Sequence, residues 1–305
     1  MIFTPPPPPP KSPIITVWIH GTKIDECLPS PFAHYAKKIA PLMFEHTLGL
    51  HRSSTFDEYH YDAMRSAALG TTDPIQFQPE YLYSFGWSGE LNSRARQKAA
   101  QELFNALKLL VLALREEYQA DPEIILISHS HGGNVILHLA EIIDPDGFEL
   151  TITKAILLAC PVQKRTEHLI NAPMFKRIYS LHSHTDMIQI ADLQGLHNKK
   201  KVTRPLLSLR HFDTHPKLTQ AAIRWKNCPI WHPDDHIINE VMLKLLTKGI
   251  KSVNYLKKNR GLFHIEFQLL PFIRQLPSII CTLDTICATN ANCPSHKDHD
   301  IVIEL

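Results

Sequence analysis

The stretch Glu123-Ile124-Ile125-Leu126-Ile127-Ser128-His129-Ser130-His131-Gly132-Gly133 decides the fold. Its residues up to Ile127 form a short apolar run, of the kind that is buried on both faces of a parallel sheet. Small and polar residues follow as far as Gly133, and apolar residues then continue at helical spacing, at Val135, Ile136, Leu139, Ile142 and Ile143. The pattern predicts a strand, a sharp turn and a helix, with Ser130 at the turn.

Strands and helices alternate on both sides of this stretch. Apolar runs predict further strands at Ile14 to Ile19, Tyr81 to Phe85, Thr153 to Ala159, Arg177 to His182 and Gln220 to Lys226. Helices are expected over His34 to Leu48, along the leucine face of Leu103, Leu107, Leu110 and Leu114, and from Asn239 to Lys248. Strands separated by helices indicate a mostly parallel central sheet with helices on both faces. Functional residues in such sheets follow the carboxyl ends of the strands.

The chain divides into three predicted parts. Residues 1–13 contain six consecutive prolines and form a proline-rich flexible leader. Residues 14–248 hold the alternating strands and helices and form the main α/β domain. Residues 249–305 form a C-terminal extension that packs on the core or faces a partner or a lipid surface. In this extension Phe263 to Leu269 alternates like a strand, and Pro271 and Pro277 interrupt an apolar stretch.

Composition excludes several classes of protein. Lys and Arg total 32 against 30 for Asp and Glu, a net charge of +2, which argues against a nucleic-acid partner. No apolar stretch reaches the roughly 20 residues of a membrane span, and no basic segment followed by an apolar run marks a Sec signal peptide. The compartment stays undecided between the cytoplasm and export by a route that needs no signal peptide.

The segment Ser128-His129-Ser130-His131-Gly132-Gly133 resembles the G-H-S-x-G-G nucleophile elbow of lipases and esterases in the α/β-hydrolase superfamily. It differs in having Ser128 where the motif has its first glycine. The resemblance covers about Ile14 to Lys248, and it implies an α/β-hydrolase fold for this catalytic domain. It also implies a serine hydrolase that cleaves an ester or thioester through an acyl-enzyme, with Ser130 as the nucleophile.

The same resemblance implies an oxyanion hole made of two backbone N–H groups. One belongs to the residue after the nucleophile, which is His131. The other follows the first core strand at a His-Gly-x sequence, and this chain has His20-Gly21-Thr22 there. Thr22 is therefore the expected second donor, and His20 is expected to be structural.

The family order places an acid and then a histidine after the serine. Asp186 follows a predicted strand in the run Ser183-His184-Thr185-Asp186, and it is preferred to Asp192 as the acid. Two histidines lie between the last core strand and the last core helix. We favour His232 as the base, with His236 as the alternate, because the family histidine lies several residues before the helix.

Two other interpretations stay open. One is a non-catalytic binding protein that keeps the fold, because Ser128 departs from the motif. The other is a metal-dependent hydrolase, because His182-x-His184-x-Asp186 resembles part of the H-x-H-x-D-H signature, although Met187 replaces its last histidine. We expect neither a metal nor an organic cofactor. The expected partner is a small-molecule or lipid acyl ester, and a peripheral lipid contact through residues 249–305 is left open.

Overall fold

The computed structural model describes residues 12–22, 48–52, 78–183, 186, 211–227, 258–262, 267–268, 270–289 and 301–305. Several predictions lie outside these residues. They are the proline run of the leader, almost all of the helix His34 to Leu48, the helix Asn239 to Lys248, and the candidate bases His232 and His236.

A central sheet forms the middle layer, and nine of its strands lie in the described part of the chain. In chain order they are β1 Ile14–Ile19, β2 Gly49–Arg52, β3 Leu82–Gly86, β4 Glu123–His129, β5 Lys154–Leu158, β6 Ile178–His182, β7 Leu218–Asn227, β8 Lys258–Gly261 and β9 Ile301–Glu304. Their order across the sheet is β2-β3-β1-β4-β5-β6-β7-β8, and β9 pairs with β7. In this order, the adjacent strands β3, β1, β4, β5, β6 and β7 are parallel to one another. The outer strands β2 and β8 run antiparallel to their neighbours. The predicted mostly parallel sheet is confirmed.

Helix α1, Ser93–Tyr118, has well-defined ends. The side chain of Asn92 caps it by accepting a hydrogen bond from the Ala95 N–H at 2.7 Å. Gln119 adopts the left-handed conformation, with φ of 54°, and its N–H donates to the Arg115 carbonyl. The predicted leucine face is buried except for Leu110, which is half-buried because the buried stripe passes through Val111 instead.

Helix α2, Gly132–His138, is shorter than the sequence pattern predicts. A single 3-10 turn, Leu139–Glu141, follows it, and the chain then becomes extended at Ile142. Ile143, which the pattern assigns to the helix, is 92% exposed. The prediction was wrong at this end: Ile142 still packs against the core, but it does so from an extended backbone.

Alternate side chains of the sheet enter two separate cores, one on each face. On one face, Ile124 and Leu126 of β4 pack with α1 and α2. On the other face, Ile125 and Ile127 pack against α3, Leu270–Thr289. Because both faces are covered, β1 is buried along its whole length and reads as a continuous apolar run.

The C-terminal segment differs from its predicted conformation. Pro277 lies inside α3 and does not end it. An interior proline costs about 3 kcal/mol of helix stability, but each fully buried apolar side chain gains ~1.5–3 kcal/mol. Six such side chains of α3 are buried against the sheet, namely Phe272, Ile273, Leu276, Ile279, Ile280 and Leu283. Burial therefore outweighs the effect of the proline.

The predicted strand over Phe263 to Leu269 is also wrong where the structure describes it. Residues 267–268 form a 3-10 turn, and both side chains are buried. A half-buried strand would bury only one of two consecutive side chains.

Polar contacts also fix α3 to the sheet. Asp284 accepts a hydrogen bond from the Tyr179 hydroxyl at 2.5 Å and an ion-paired hydrogen bond from Lys154 Nζ at 2.6 Å. Burial and the neighbouring carboxylate raise the pKa of Tyr179, so its hydroxyl remains a donor at neutral pH. The division into a leader, a catalytic domain and an extension stays a prediction. None of the helices in the described ranges has the length and apolar character of a membrane span.

We predict that Phe272→Ala lowers the free energy of unfolding by about 3–5 kcal/mol, because it leaves a cavity between α3 and the sheet. Arg274→Ala, an exposed position on the same helix, is the matched control and should change stability by less than about 0.5 kcal/mol. Urea denaturation followed by circular dichroism measures both. Equal stability of the two variants would mean that α3 does not unfold together with the sheet.

Candidate active site

The turn between β4 and α2 has the sharp geometry that the sequence predicts. Ser130 adopts a left-handed backbone conformation with φ of 52°, which is uncommon for a residue with a side chain. Its N–H donates to the Leu158 carbonyl at the end of β5 (2.8 Å), and its carbonyl accepts from the Gly133 N–H (3.0 Å). These two hydrogen bonds hold the strained residue in place at the carboxyl edge of the sheet.

Close backbone packing explains both glycines after the turn. A Cβ at Gly132 would lie 2.5 Å from the His20 carbonyl oxygen and 2.8 Å from that of Ile19. A Cβ at Gly133 would lie 2.8 Å from Cβ of Cys160. Real Cβ atoms do not approach other heavy atoms this closely, so α2 can begin here only if both residues lack a side chain.

Ser128, the departure from the family motif, fits its position. The residue is fully buried, and its hydroxyl lies 3.4 Å from the Ile156 carbonyl of the neighbouring strand. The same hydroxyl is 3.4 Å from the place where a Cβ at Gly133 would be, which is an ordinary contact distance. A serine is therefore accommodated at this position without displacing the turn.

The His-Gly-Thr segment after β1 lies directly against the turn. A Cβ at Gly21 would be 2.8 Å from Cβ of Ser130 and 3.0 Å from the His129 carbonyl oxygen. Thr22 is the next residue, and its Oγ1 is buried without a hydrogen-bond partner among the described residues. The structure thus brings the segment with Thr22 beside Ser130, while His131 lies in the turn itself as the N-cap of α2.

Trp87, directly after β3, supports this segment. Its backbone N–H donates to Nε2 of His20 (3.0 Å), its indole N–H donates to the His20 carbonyl (2.9 Å), and the two rings stack. Because Nε2 accepts, the His20 ring carries its proton on Nδ1 and donates it to the Gly21 carbonyl at 2.6 Å. His20 therefore fixes the peptide that precedes Thr22. The signal in the sequence is weak, since it depends on knowing that β3 lies beside β1.

Asp186 follows β6, two strands from β4 in the sheet. It is 1% exposed, and its N–H donates to the Ser183 carbonyl at 3.2 Å. At the same end of β6, Nε2 of His182 lies 3.0 Å from Nε2 of His211, and the rings meet edge to face. The two candidate bases, His232 and His236, lie outside the described residues, so their positions relative to Asp186 stay a prediction.

The metal interpretation depends on the run from His182 to Asp186, and His184 of this run lies outside the described residues. Within the described ranges, no three His, Cys, Asp or Glu side chains are grouped so that they could hold a metal ion.

A buried polar network fixes α2 from behind. Asn134 donates to the Pro161 carbonyl at 3.1 Å and accepts from the Thr166 hydroxyl at 2.5 Å. His138, at the end of the helix, contacts the Glu141 carboxylate at 2.7 Å. Burial lowers the pKa of His138, although the carboxylate opposes this shift. The helix behind Ser130 is therefore held by side chains at both of its ends.

We predict that Gly133→Ala destabilises the protein by about 1–3 kcal/mol, because the new methyl group overlaps Cys160. Helix propensity alone predicts the opposite effect, in which Gly133→Ala raises the free energy of unfolding by up to about 1 kcal/mol. Cys160→Ala in the same chain should recover part of the loss. Gly147→Ala separates crowding from backbone strain: nothing lies within 4 Å of an added Cβ there, but its φ of 72° costs an alanine about 1–2 kcal/mol. Stabilisation by Gly133→Ala in urea denaturation would contradict the crowding argument.

Similarity to known proteins is limited to remote solved structures. A hyperthermophilic esterase from the archaeon Pyrobaculum calidifontis is 14% identical, with 93% of this chain and 77% of that chain covered and a TM-score of 0.35. A siderophore hydrolase from Aspergillus fumigatus is 11% identical, with 93% of each chain covered and a TM-score of 0.35. An α/β serine hydrolase without a lid from Xanthomonas campestris is 15% identical, with 70% and 75% covered and a TM-score of 0.29. No protein-family model and no curated protein matches the sequence.

With similarities this remote, the fold assignment depends on the architecture of the chain itself. The central strands β3 to β7 are parallel and carry helices on both faces. Strand β4 passes through a left-handed serine at the carboxyl edge of the sheet into a helix, which is the arrangement of a nucleophile elbow. This chain therefore has the α/β-hydrolase fold.

Proposed function

We propose that the protein is a serine hydrolase of the lipase and esterase type, which cleaves a carboxylic ester or thioester. The conformation of Ser130 carries the proposal. A left-handed backbone at a residue with a side chain costs about 1–3 kcal/mol, and such strain is concentrated at functional sites. The elbow projects the serine at the sheet edge, where the segment after β1 packs against it. This juxtaposition suits attack on a carbonyl group.

In the proposed reaction, Oγ of Ser130 attacks the carbonyl carbon and a histidine accepts its proton. Asp186 orients that histidine. The backbone N–H groups of Thr22 and His131 stabilise the oxyanion, and each such donor contributes ~3–4 kcal/mol to transition-state binding. Collapse of the tetrahedral intermediate transfers the proton to the leaving alcohol or thiol and gives an acyl-enzyme. Water then releases the acid by the reverse sequence of proton transfers.

The proposed base is His232, with His236 as the alternate. Both follow β7, and β7 pairs directly with β6, the strand before Asp186. Because β6 and β7 are parallel, their carboxyl ends point to the same edge of the sheet. The chemistry needs no metal and no organic cofactor.

The proposed substrate is a small-molecule or lipid acyl ester. Lipid contact through residues 249–305 stays a prediction. The apolar side chains of α3 that pack on the sheet are not available for such contact, because they are buried in the second core.

We expect Ser130→Ala to lower kcat/KM for short p-nitrophenyl esters by at least about 1,000-fold, and to abolish labelling by a fluorophosphonate probe. The variant should remain folded, since the substitution removes one oxygen. Ser278→Ala, at an exposed serine on α3, is the matched control and should behave as the unmodified protein. If the unmodified protein neither hydrolyses esters nor reacts with the probe, the alternative of a non-catalytic binding protein is favoured.

The histidine assignment predicts unequal effects of His232→Ala and His236→Ala. One variant should lose at least about 1,000-fold in kcat/KM, because Ser130 then lacks its base, and the other should keep most of its activity. His51→Ala, a position on β2 that bonds the Leu48 carbonyl, is the control. Activity in both variants would assign the base elsewhere, and His211 would be the next histidine to replace.

A further inference from the structure

His129, the residue before Ser130, lies on the face of the sheet that α3 covers. Successive side chains of a strand point to opposite faces, so His129 continues the row of Ile125 and Ile127. Those two isoleucines belong to the core formed with α3. The His129 side chain is 1% exposed and therefore ends this core at the edge where Ser130 turns away.

Gln268 reaches this ring from the C-terminal segment. Its side-chain Nε2 donates a hydrogen bond to Nδ1 of His129 across 139 residues of sequence. The ring therefore accepts at Nδ1 and carries its proton on Nε2. Phe267, the neighbouring residue, packs edge to face on Phe272 of α3, with ring centroids 5.1 Å apart. The position of Gln268 thus depends on how α3 packs on the sheet.

Three segments meet at Nδ1 of His129. A Cβ at Gly21 would lie 3.2 Å from this atom, and the same Cβ would lie 2.8 Å from Cβ of Ser130. The same ring atom therefore faces both Gln268 and the segment that contains Thr22. A ring that rotated or shifted would displace the backbone on which both Ser130 and the proposed oxyanion donor depend.

We propose that Gln268 is a positioning residue for Ser130. It holds the ring of His129, and through that ring it keeps the turn and the Gly21 to Thr22 backbone in their mutual arrangement. The C-terminal segment therefore completes the active site and is required for the reaction, beyond its part in the core. This inference rests on the proposed role of Ser130 as the nucleophile.

A purely structural role explains Gln268 poorly. Its amide is 1% exposed, and Oε1 has no hydrogen-bond partner in the described part of the chain. An amide that is buried with its oxygen unsatisfied costs free energy relative to an apolar side chain of the same length. Within the described ranges, its amide nitrogen donates to His129, the residue beside the proposed nucleophile.

The test compares Gln268→Met with the unmodified full-length chain. Methionine has similar length and no amide, so the chain should fold with a nearly unchanged melting temperature. The rate constant for labelling of Ser130 by a fluorophosphonate probe should fall by about 10- to 100-fold, because small displacements of reacting groups have effects of this size. For a p-nitrophenyl ester, kcat should fall while KM stays constant. Gln275→Met, at an exposed glutamine of α3, is the matched control and should leave both unchanged.

Gln268→Glu distinguishes positioning from packing. Glutamate has the same shape, but its carboxylate only accepts, so it bonds Nδ1 of His129 when the ring proton moves from Nε2 to Nδ1. That bond again holds the ring, so glutamate should restore most of the labelling rate that methionine loses. If Gln268→Met does not fold, Gln268→Asn takes its place, since its amide is one methylene shorter and no longer reaches the ring. Labelling of either folded variant at the unmodified rate would overturn the proposal.

A measurement that does not depend on enzyme activity tests the role of Gln268 separately from the role of Ser130 as the nucleophile. In the Ser130→Ala chain, nitrogen NMR of the His129 ring should show an accepting Nδ1, and Gln268→Met should shift that signal. If the unmodified protein is not labelled at all, the proposed function fails, whatever the ring signal shows. If it is labelled and the ring signal does not respond to Gln268→Met, the positioning role is wrong and the nucleophile stands.

Discussion

The close approach of the β1 backbone to the start of α2 is the constraint on which the site depends. The carbonyl oxygens of Ile19 and His20 occupy the space that a side chain at Gly132 would need. Because no side chain intervenes, the segment after β1 lies against the turn, and Ser130 is held left-handed between β4 and α2. A methyl group at Gly21 or Gly132 would push the segment with Thr22, one of the two proposed oxyanion donors, away from the turn.

Two layers of side chains preserve this approach. On one side, Trp87 donates two hydrogen bonds to His20, and together they fix the peptide before Thr22. On the other side, the core under α3 extends to the ring of His129. Neither layer includes a residue that the proposed reaction uses directly. Pre-organisation of this kind is what allows backbone N–H groups to stabilise an oxyanion without rearranging during the reaction.

The sheet order explains how residues far apart in sequence reach one edge. Strands β1, β4, β5 and β6 are adjacent and parallel, so the residues after them emerge side by side. Gly21, Ser130, Ala159 and Asp186 each follow one of these strands. The left-handed conformation recurs at Ala159, with φ of 50°, where β5 ends beside the elbow. Sharp turns with left-handed residues therefore follow two adjacent strands, β4 and β5, at the carboxyl edge of the sheet.

Sequence by itself determined the elements whose signals are local. The apolar runs of β1, β4, β5, β6 and β7 and the glycines after Ser130 predicted the strands, the turn and a mostly parallel sheet, because period and turn chemistry are encoded within a few residues. The resemblance of residues 128–133 to the elbow motif implied the α/β-hydrolase fold. Tertiary structure decided the helical state of α3, since burial on the sheet offsets Pro277. It also decided the contacts of Trp87 with His20 and of Gln268 with His129. These contacts depend on which strands are neighbours and on which face α3 covers, and no local pattern carries that information.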